Sequence, residues 1–592
     1  MILIILLLCF LVFLFHQYFW RRRGLPPGPT PIPVFGNLFQ LSGSEAPGIS
    51  IFQKWKDQYG PMFTFYMGPV PFIVLTDYRD IKETVIKDGE TYADKYLSPE
   101  FNIYFRGGEY GIMDISGDRW REHRKFAVLQ LRELGVGKPL MESKILIEAE
   151  EMIRKLKTAE VIGEEFFLQT EIDVAVGSVI NQFLFGYRFD ESKLHEFVKI
   201  KTLVNNFMEE VGKPLGVLAF TCHGIPPFIV KMMVSGIEEQ KRELFGFLRA
   251  QIQDAKVRIN YEEEHNDDFV EAYLRKKYQR EQNNDFESYC DSQLENVCFD
   301  IWAAGFDTLA NTLGFLFAYA INYPEMQVQK LIHQEIDEYL GHHRRLLTMS
   351  DKNALVYFNA FANEPFLNFV ALHQELFQHI RFKDNGFSAM TTSLPMTQFT
   401  GVEKILISPL YNATDYSMVE DLVELRRKLI HLSEIRTSDK FLTGLAEQKS
   451  KRNYNFSKRS KNQMQSLNVF GDRQRLVFQE TQRLANILPM NLPHALTKDV
   501  ELKGYHLKKG TGVIHQIANV MTDETIFKDS YRFNPSRFID EFGKLKKIEE
   551  LCPFSMGKRQ CLGEGLARME IFLLAANLFN YFEVIHDRSL FA

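Results

Sequence analysis

The stretch from Phe554 to Gly563 constrains this chain more than any other, because it places one cysteine between two glycines directly before a helical pattern. Backbone N–H groups at the start of a helix lower the pKa of a thiol and donate hydrogen bonds to its sulfur. Glycine lets the backbone approach a flat cofactor closely. Cys561 is therefore a candidate thiolate ligand of a metal, and Arg559 is a candidate partner for an anionic group. The alternative is an inert, buried cysteine.

Composition and charge exclude several classes of protein. The chain has 592 residues, of which 45% are hydrophobic and 25% charged, so it can bury a large core and is not a disordered protein. A net charge of -6 provides no basic face for nucleic acid, and we exclude nucleic acid as a partner. The six cysteines follow neither a disulfide nor a zinc spacing, which favours a reducing compartment. Cys552 lacks flanking glycines and is expected in the core.

The N-terminus predicts a transmembrane helix. Met1 to Trp20 are almost entirely apolar, which is about enough helix to cross a ~30 Å hydrocarbon core. The arginines follow the apolar run, unlike the order in a cleaved signal peptide. By the positive-inside rule, the body then lies on the cytoplasmic side of the membrane. We assign residues 1–20 as a lipid-contacting anchor and 21–36 as a basic stop and a stiff proline-rich spacer. The alternative is a buried core helix.

The rest of the chain is predicted to be mainly α-helical with a small β region. Phe63–Tyr66 and Phe72–Leu75 have the β-branched and aromatic composition of strands. Helical periodicity is clear from Ser143 to Lys157 and from Leu294 to Asn322. The second of these helices contains Ala304-Gly305-Phe306-Asp307-Thr308. A carboxylic acid and a hydroxyl inside so apolar a helix cost free energy unless they are satisfied, which favours a function over ordinary helix.

Together the two motifs resemble those of the cytochrome P450 family. The first matches its heme-binding loop, F-x-x-G-x-R-x-C-x-G, and the second its oxygen-activating segment, A/G-G-x-D/E-T. The resemblance implies a cytochrome P450 fold with an N-terminal transmembrane helix, and Cys561 as the axial ligand of the heme iron. Asp307 and Thr308 are the implied catalytic residues, since they would relay protons to bound dioxygen. The other residues implied at the heme are Ala304, Gly305, Phe554, Arg559 and Gly563.

Three weaker motifs agree with this resemblance. Trp120 and Arg124 lie four residues apart on one helical face, as do the residues that hold a heme propionate in the family. His494 follows a proline at the position of a further propionate donor. The alternatives are a surface amphipathic helix and a structural histidine. Glu480, Arg483 and Arg537 match a structural charge triad whose members must satisfy one another in the core.

The resemblance also implies an activity, partners and a location. One atom of dioxygen enters a small apolar substrate of the drug, steroid or fatty-acid class. The sequence has no flavin or nicotinamide fingerprint, so electrons come from NADPH through a separate reductase. The animal microsomal group implied here lies in the endoplasmic reticulum membrane. Candidate walls of the substrate pocket are residues 101–113, residues 204–228 and the surroundings of Ala304. Basic residues that could dock the reductase, or form only a solvated face, are Arg121, Lys125, Lys558, Arg559 and Arg568.

Two departures from the family leave other functions open. Residues 365–479 interrupt what should be one helix, and we interpret them as a foreign segment, such as a retained intron; a tolerated surface excursion is the alternative. The catalytic domain then consists of residues 37–364 and 480–592, and its C-terminal hairpin is expected to be missing. One rival is an inactive heme protein or splice variant. The other is an isomerase or dehydratase of the same family, which can dispense with a proton relay.

Overall fold

Sixteen α-helices account for most of the chain that the structure, a computed structural model, describes. The described residues are 5, 8–9, 11–12, 15–16, 18–42, 49–135, 139–162, 168–263, 265–322, 328–341, 344–352, 354–355, 483, 487–488, 490–532, 535–538 and 548–583. The helices are α1 (Leu38–Ser42), α2 (Ser50–Tyr59), α3 (Tyr78–Lys82), α4 (Pro99–Arg106), α5 (Gly117–Glu133), α6 (Pro139–Ile162), α7 (Leu168–Phe185), α8 (Leu194–Gly212), α9 (Pro214–Thr221), α10 (Pro227–Met233), α11 (Glu238–Arg258), α12 (Phe269–Gln282), α13 (Asp291–Asn322), α14 (Val328–Leu340), α15 (Ile517–Met521) and α16 (Glu564–Tyr581).

A small sheet joins strands from distant parts of the chain. Its strand order is β1-β2-β7-β4-β3, and β2 and β7 are its parallel pair. Strands β5 and β6 form a separate antiparallel hairpin. The strands are β1 (Met62–Met67), β2 (Val70–Leu75), β3 (Asp94–Lys95), β4 (His494–Ala495), β5 (Val500–Leu502), β6 (Tyr505–Leu507) and β7 (Gly512–His515).

The β1–β2 hairpin is buried on both faces, which explains its run of large apolar residues. Phe63 and Phe65 of β1 pack against Phe52 and Trp55 of α2, with ring centroids 5.2 to 6.0 Å apart. Gly68 turns the chain with a φ of 60°, in the left-handed region that glycine occupies without strain. The two strands predicted from the sequence are therefore confirmed.

The 32-residue helix α13 lies in the core and positions the second motif. It packs against α7, α11 and α16, the helix that follows Cys561. Phe306 on α13 contacts Phe197 of α8, with ring centroids 5.5 Å apart. Both predicted long helices are confirmed, the first within α6 and the second within α13. The expected mainly α-helical fold with a small β region is thus correct.

A buried ion network fastens the loop after α4 to α13. Arg106 forms ion pairs with Asp114 at 2.6 Å and with Asp300 of α13 at 2.7 Å. The Asp300 carboxylate also accepts hydrogen bonds from the backbone N–H groups of Ile112 and Met113. Such mutual satisfaction offsets the desolvation of buried charges. The loop therefore has a fixed position over the N-terminal third of α13, the longest helix among the described residues.

The proline-rich segment contacts the sheet. The carbonyl of Pro27 accepts a hydrogen bond from the Thr64 N–H at 2.9 Å, and a Cβ at Gly28 would clash with the Thr64 carbonyl. Part of the predicted spacer is thus packed against β1.

The predicted anchor, residues 1–20, lies largely outside the described residues. Among the residues that are described, no helix has the length and apolar character needed to span a membrane.

The chain divides into two units, Met1–Pro395 with Asp472–Ala592, and Met396–Gly471. The second unit lies wholly outside the described residues, and so does the predicted foreign segment 365–479. The prediction that the C-terminal hairpin is missing concerns the end of the chain, which also lies outside the described residues.

Candidate active site

The Cys561 loop is a tight turn that presents the thiol at the start of α16. The backbone N–H of Cys561 donates to the Phe554 carbonyl at 2.9 Å, which closes the loop. Gly557 has a φ of 77°, and a Cβ there would clash with the Val85 carbonyl. Gly557 is therefore required for packing against the neighbouring segment. Gly563 is the N-cap residue of α16.

The Cys561 thiol is exposed to solvent, yet many protein atoms surround it. Burial raises the pKa of the Cys561 thiol. The backbone N–H groups of Gly563 and Glu564 and the Arg124 guanidinium act in the opposite direction but do not reverse the shift. The N–H groups at the helix start thus lower this pKa as expected, but desolvation outweighs them in the protein alone. A cation beside the sulfur would have to supply the missing stabilisation of a thiolate.

Arginines from two elements meet beside this loop. Arg124 of α5 donates to the carbonyl of Gln560, directly before the cysteine. Arg559 donates to the carbonyls of Ala93 and Ile115, both at 2.6 Å. Burial, and then Arg124, lowers the pKa of Arg559 to about 9. Both side chains are half-buried, and among the described residues no carboxylate lies within ion-pair distance of either.

Trp120 and Lys95 complete this group of donors. The indole Nε1 of Trp120 is buried and has no hydrogen-bond partner among the described residues. The Lys95 ammonium lies 3.1 Å from Nε2 of His494. Burial, and then Arg559, lowers the pKa of Lys95 to about 7. A cluster of cations and an unused N–H group without a carboxylate partner is suited to bind carboxylates.

Lys95 was not predicted from the sequence. It lies in a two-residue strand and stands opposite His494 in the β3–β4 register. No local motif identifies it, because its neighbours come from elements far along the chain.

His494 is buried and held in one tautomer. Its Nδ1 lies 2.6 Å from the Tyr92 carbonyl, which can only accept, so Nδ1 carries the hydrogen. Nε2 of the neutral ring then accepts from Lys95. Burial, and then the Lys95 charge, keeps the pKa of His494 well below its usual range. That His494 itself donates to a propionate stays a prediction, since in this arrangement its free nitrogen faces Lys95.

The second motif forms an accessible strip on a buried stretch of α13. Ala304 and Thr308 are exposed, whereas their neighbours Ala303, Phe306 and Asp307 are buried. The Thr308 hydroxyl donates to the Ala304 carbonyl at 2.7 Å. A Cβ at Gly305 would lie 2.9 Å from Cδ1 of Ile180, so the glycine allows close packing against α7. The strip can therefore face a small molecule without a bulky side chain in the way.

The Asp307 carboxyl is buried, and its Oδ2 has no hydrogen-bond partner among the described residues. Burial raises the pKa of Asp307 to about 7, and the nearby Asp173 adds to that shift. Lys201 opposes it. A carboxylic acid of this kind holds a proton near neutral pH and can release it, as a general acid must.

The predicted charge triad is only partly described. Arg483 is fully buried and donates to the carbonyls of Met521 and Ser530 at 2.6 and 2.7 Å. Arg537 donates to the carbonyls of Asp529 and Arg532 at 3.0 and 2.9 Å. Glu480 lies outside the described residues. The two arginines therefore fasten the same segment of backbone, and their link to Glu480 stays a prediction.

Comparison with known proteins gives a consistent result over most of the chain. Residues 26–366 and 474–589 match the family model described as Cytochrome P450. Cytochrome P450 2C3 of Oryctolagus cuniculus is 28% identical over 574 residues, which span 95% of this chain and 89% of that protein. Cytochrome P450 2A9 of Mesocricetus auratus is 26% identical over 584 residues, which span 98% of this chain and 91% of that protein.

Proposed function

Because this chain belongs to the cytochrome P450 family, in its animal microsomal group, we propose that it oxygenates a small apolar molecule with electrons from an NADPH-dependent reductase. Family membership makes it a monooxygenase of the oxidoreductase class and implies heme as its cofactor. The substrate class, whether drug, steroid or fatty acid, and the reductase belong to the proposal. The observation that carries it is the group of cationic donors at the Cys561 loop, none of which has a carboxylate partner among the described residues, together with the unpartnered indole N–H of Trp120.

That group fits a heme, whose two propionates are carboxylates. Cys561 would hold the iron, while Arg124, Arg559, Lys95 and the Trp120 indole would hold the propionates. The unused Nε1 of buried Trp120 supports this reading, since an unmade hydrogen bond costs about 1–3 kcal/mol. When bound through a thiolate, heme supplies the chemistry that cleaves dioxygen. Phe554 and Gly563 would frame the ligand loop.

Asp307 and Thr308 of α13 would hold and deliver the protons that the reaction consumes. The Asp307 carboxyl keeps its proton near neutral pH because burial disfavours the carboxylate. The Thr308 hydroxyl stands on the exposed strip, next to Ala304 and Gly305, and can exchange its present carbonyl partner for a bound molecule. A residue that stores a proton thus adjoins one that can present it.

Several positive charges of the proposed docking face for the reductase form ion pairs with carboxylates of the same chain. Arg121 pairs with Asp118 and Glu90, and Lys558 pairs with the same Glu90. Arg568 pairs with Glu564 at 2.9 Å. Lys125 is exposed on α5 beside Arg121 and remains the strongest candidate for contact with an acidic partner.

We also propose an anchored location and a foreign segment. The apolar residues 1–20, followed by the arginines, support attachment to the endoplasmic reticulum membrane with the catalytic domain on the cytoplasmic side. The family match leaves out residues 367–473, which supports the interpretation of 365–479 as foreign. The catalytic domain is then formed by residues 37–364 and 480–592.

The carbon monoxide difference spectrum of reduced membranes tests the thiolate-ligated heme. The parent chain should give the thiolate-type band, and Cys561→Ala should lose it. Cys552→Ala is the matched control, because that cysteine is buried in another cluster and should leave the band in place. A band that survives Cys561→Ala refutes the assignment, and a parent without one is an inactive chain. Reductase-dependent NADPH consumption then separates a monooxygenase from an isomerase.

A further inference from the structure

A second histidine lies next to His494 on the same face of the sheet. His494 of β4 stands opposite Val513 of β7, and His515 follows Val513 by two positions, so both imidazoles lie on the same side. Their ring centroids are 5.0 Å apart, and the ring planes are 80° apart. The two rings are therefore in contact, although His515 belongs to none of the sequence motifs that predict a heme site.

The His515 ring is fully buried and makes no hydrogen bond. Neither its Nδ1 nor its Nε2 has a partner among the described residues. Burial, and then the Lys95 charge, lowers the pKa of His515 to about 3, so the ring is neutral and carries one N–H donor and one acceptor nitrogen. Because unused polar atoms in the interior cost free energy, this ring calls for a partner that the heme-free site does not supply.

Both nitrogens of His494 are already engaged, which explains why His515 cannot use them. Nδ1 of His494 donates to the Tyr92 carbonyl at 2.6 Å, and Nε2 accepts from Lys95 at 3.1 Å. An N–H···N bond of ~2.9 Å between two imidazoles places their centroids roughly 5 Å apart, which is the separation of these two rings. His515 can therefore donate to Nε2 of His494 by turning its ring, once Lys95 leaves that nitrogen.

A heme propionate provides the reason for Lys95 to leave. An ammonium binds a carboxylate more strongly than a neutral imidazole, since both partners then carry a charge. An ammonium that kept its bond to His494 as well would leave His515 without a partner. Replacement of Lys95 by His515 at Nε2 of His494 gives a partner to all three side chains at once.

We propose that His515 is a positioning residue of the heme site: when heme binds, the Lys95 ammonium turns to a propionate and His515 takes its place as the donor to Nε2 of His494. The inference rests on the proposed function in that heme is the ligand. The bond between the two histidines then exists only in the loaded protein, so it favours retention of heme. A histidine that merely fills space in the core would favour the loaded and the heme-free protein alike.

Transfer of heme from the purified full-length protein to apomyoglobin measures this retention. His515→Phe keeps an aromatic ring but removes both nitrogens, and it should speed the transfer roughly two- to tenfold, the effect of one hydrogen bond. His515→Gln keeps a donor and an acceptor and should stay near the parent rate. The control is His506→Phe, because His506 lies on the β5–β6 hairpin, where it is exposed and pairs with Glu501.

The same substitution in the Lys95→Met background isolates the exchange. Without the ammonium, Nε2 of His494 is free with or without heme, so His515 donates to it in both states. His515→Phe should then change the transfer rate by less than about twofold, because the bond no longer distinguishes the two states. If His515→Phe fails to fold, His515→Met replaces it in both backgrounds.

Each outcome decides between the explanations. Equal acceleration in both backgrounds, as packing or a buried water on His515 would give, overturns the inference, and so does an unchanged rate when Lys95 is present. A chain that takes up no heme refutes the proposed function, and the inference fails with it. The background-dependent effect in a chain that binds heme but consumes no NADPH supports the exchange and refutes the monooxygenase.

Discussion

The Arg559 guanidinium lies over the face of the Trp120 indole, with Cζ 3.7 Å from the ring centroid. This stacking fixes the plane of the indole and so the direction of its unpartnered Nε1. Trp120→Phe keeps a ring beneath the arginine but removes the N–H. We expect heme to transfer to apomyoglobin roughly two- to tenfold faster, since one hydrogen bond contributes about 0.5–1.5 kcal/mol. Trp55→Phe, in a different core cluster, should leave that rate unchanged. Equal rates in Trp120→Phe and the parent would exclude the indole from propionate binding.

Thr308→Ala tests the accessible hydroxyl on α13. Heme incorporation should persist, because Thr308 is not a ligand, while product formed per NADPH should fall and peroxide should rise. Thr312→Ala is the matched control, since its hydroxyl makes the same type of bond to the carbonyl four residues earlier. Coupling that stays at the parent level in Thr308→Ala would count against a role in proton delivery.

A buried pair of carboxyl groups should make stability fall as pH rises. Burial, and then Glu148, holds the pKa of Glu570 well above its usual range, and burial raises the pKa of Glu148 to about 7. Between the ordinary and the raised pKa, the unfolded chain has lost protons that the folded chain still binds. The free energy of unfolding therefore decreases with rising pH in that window.

Glu570→Gln should remove part of this dependence, because Oε2 of Glu570 has no partner among the described residues that an amide would lose. We expect a higher melting temperature than the parent at about pH 8 and a similar one at about pH 5. Glu150→Gln, at an exposed position on the same helix as Glu148, should change neither value. A Glu570→Gln variant that is less stable at the higher pH would contradict this prediction.

Removal of residues 365–479 should increase the yield of heme-loaded protein. The segment interrupts a predicted helix, and the deletion joins Glu364 directly to Glu480, three residues before Arg483. From the sequence we expect that a helix in the full chain restarts near Glu480, at a nucleation cost and with unpaired N–H groups at its start. Heme absorbance per expressed chain measures the effect. An equal or lower yield after the deletion would show that the segment belongs to the fold.

Local patterns predicted the elements whose residues are neighbours along the chain. The strands Phe63–Tyr66 and Phe72–Leu75, the long helix with Asp307 and the turn before Cys561 all depend on short spacings and on burial that composition reflects. The partners across the site could not be predicted in this way. Lys95 meets His494 through strand pairing over a separation of 399 positions, and no periodicity encodes such a register.

The net direction of a pKa shift in this site depends on desolvation, which local sequence patterns do not report. The start of α16 favours a Cys561 thiolate, but the bulk of protein around the sulfur outweighs it. The acceptors of the two arginines in the predicted charge triad were not predicted either. Arg483 and Arg537 both donate to backbone carbonyls between Met521 and Arg532, and a sequence motif that names only charged partners does not predict these acceptors.

The parallel pairing of β2 with β7 has a consequence for synthesis on the ribosome. Val74 lies opposite Ile514, so the central strand that joins β2 to β4 emerges only when most of the chain has been translated. Until then the nascent hairpin exposes the unpaired edge of β2, a surface prone to aggregation. The Cys561 loop is translated later still, so heme can bind through this cysteine only after β7 has been made. Slow elongation over the preceding codons should therefore increase the demand for chaperones.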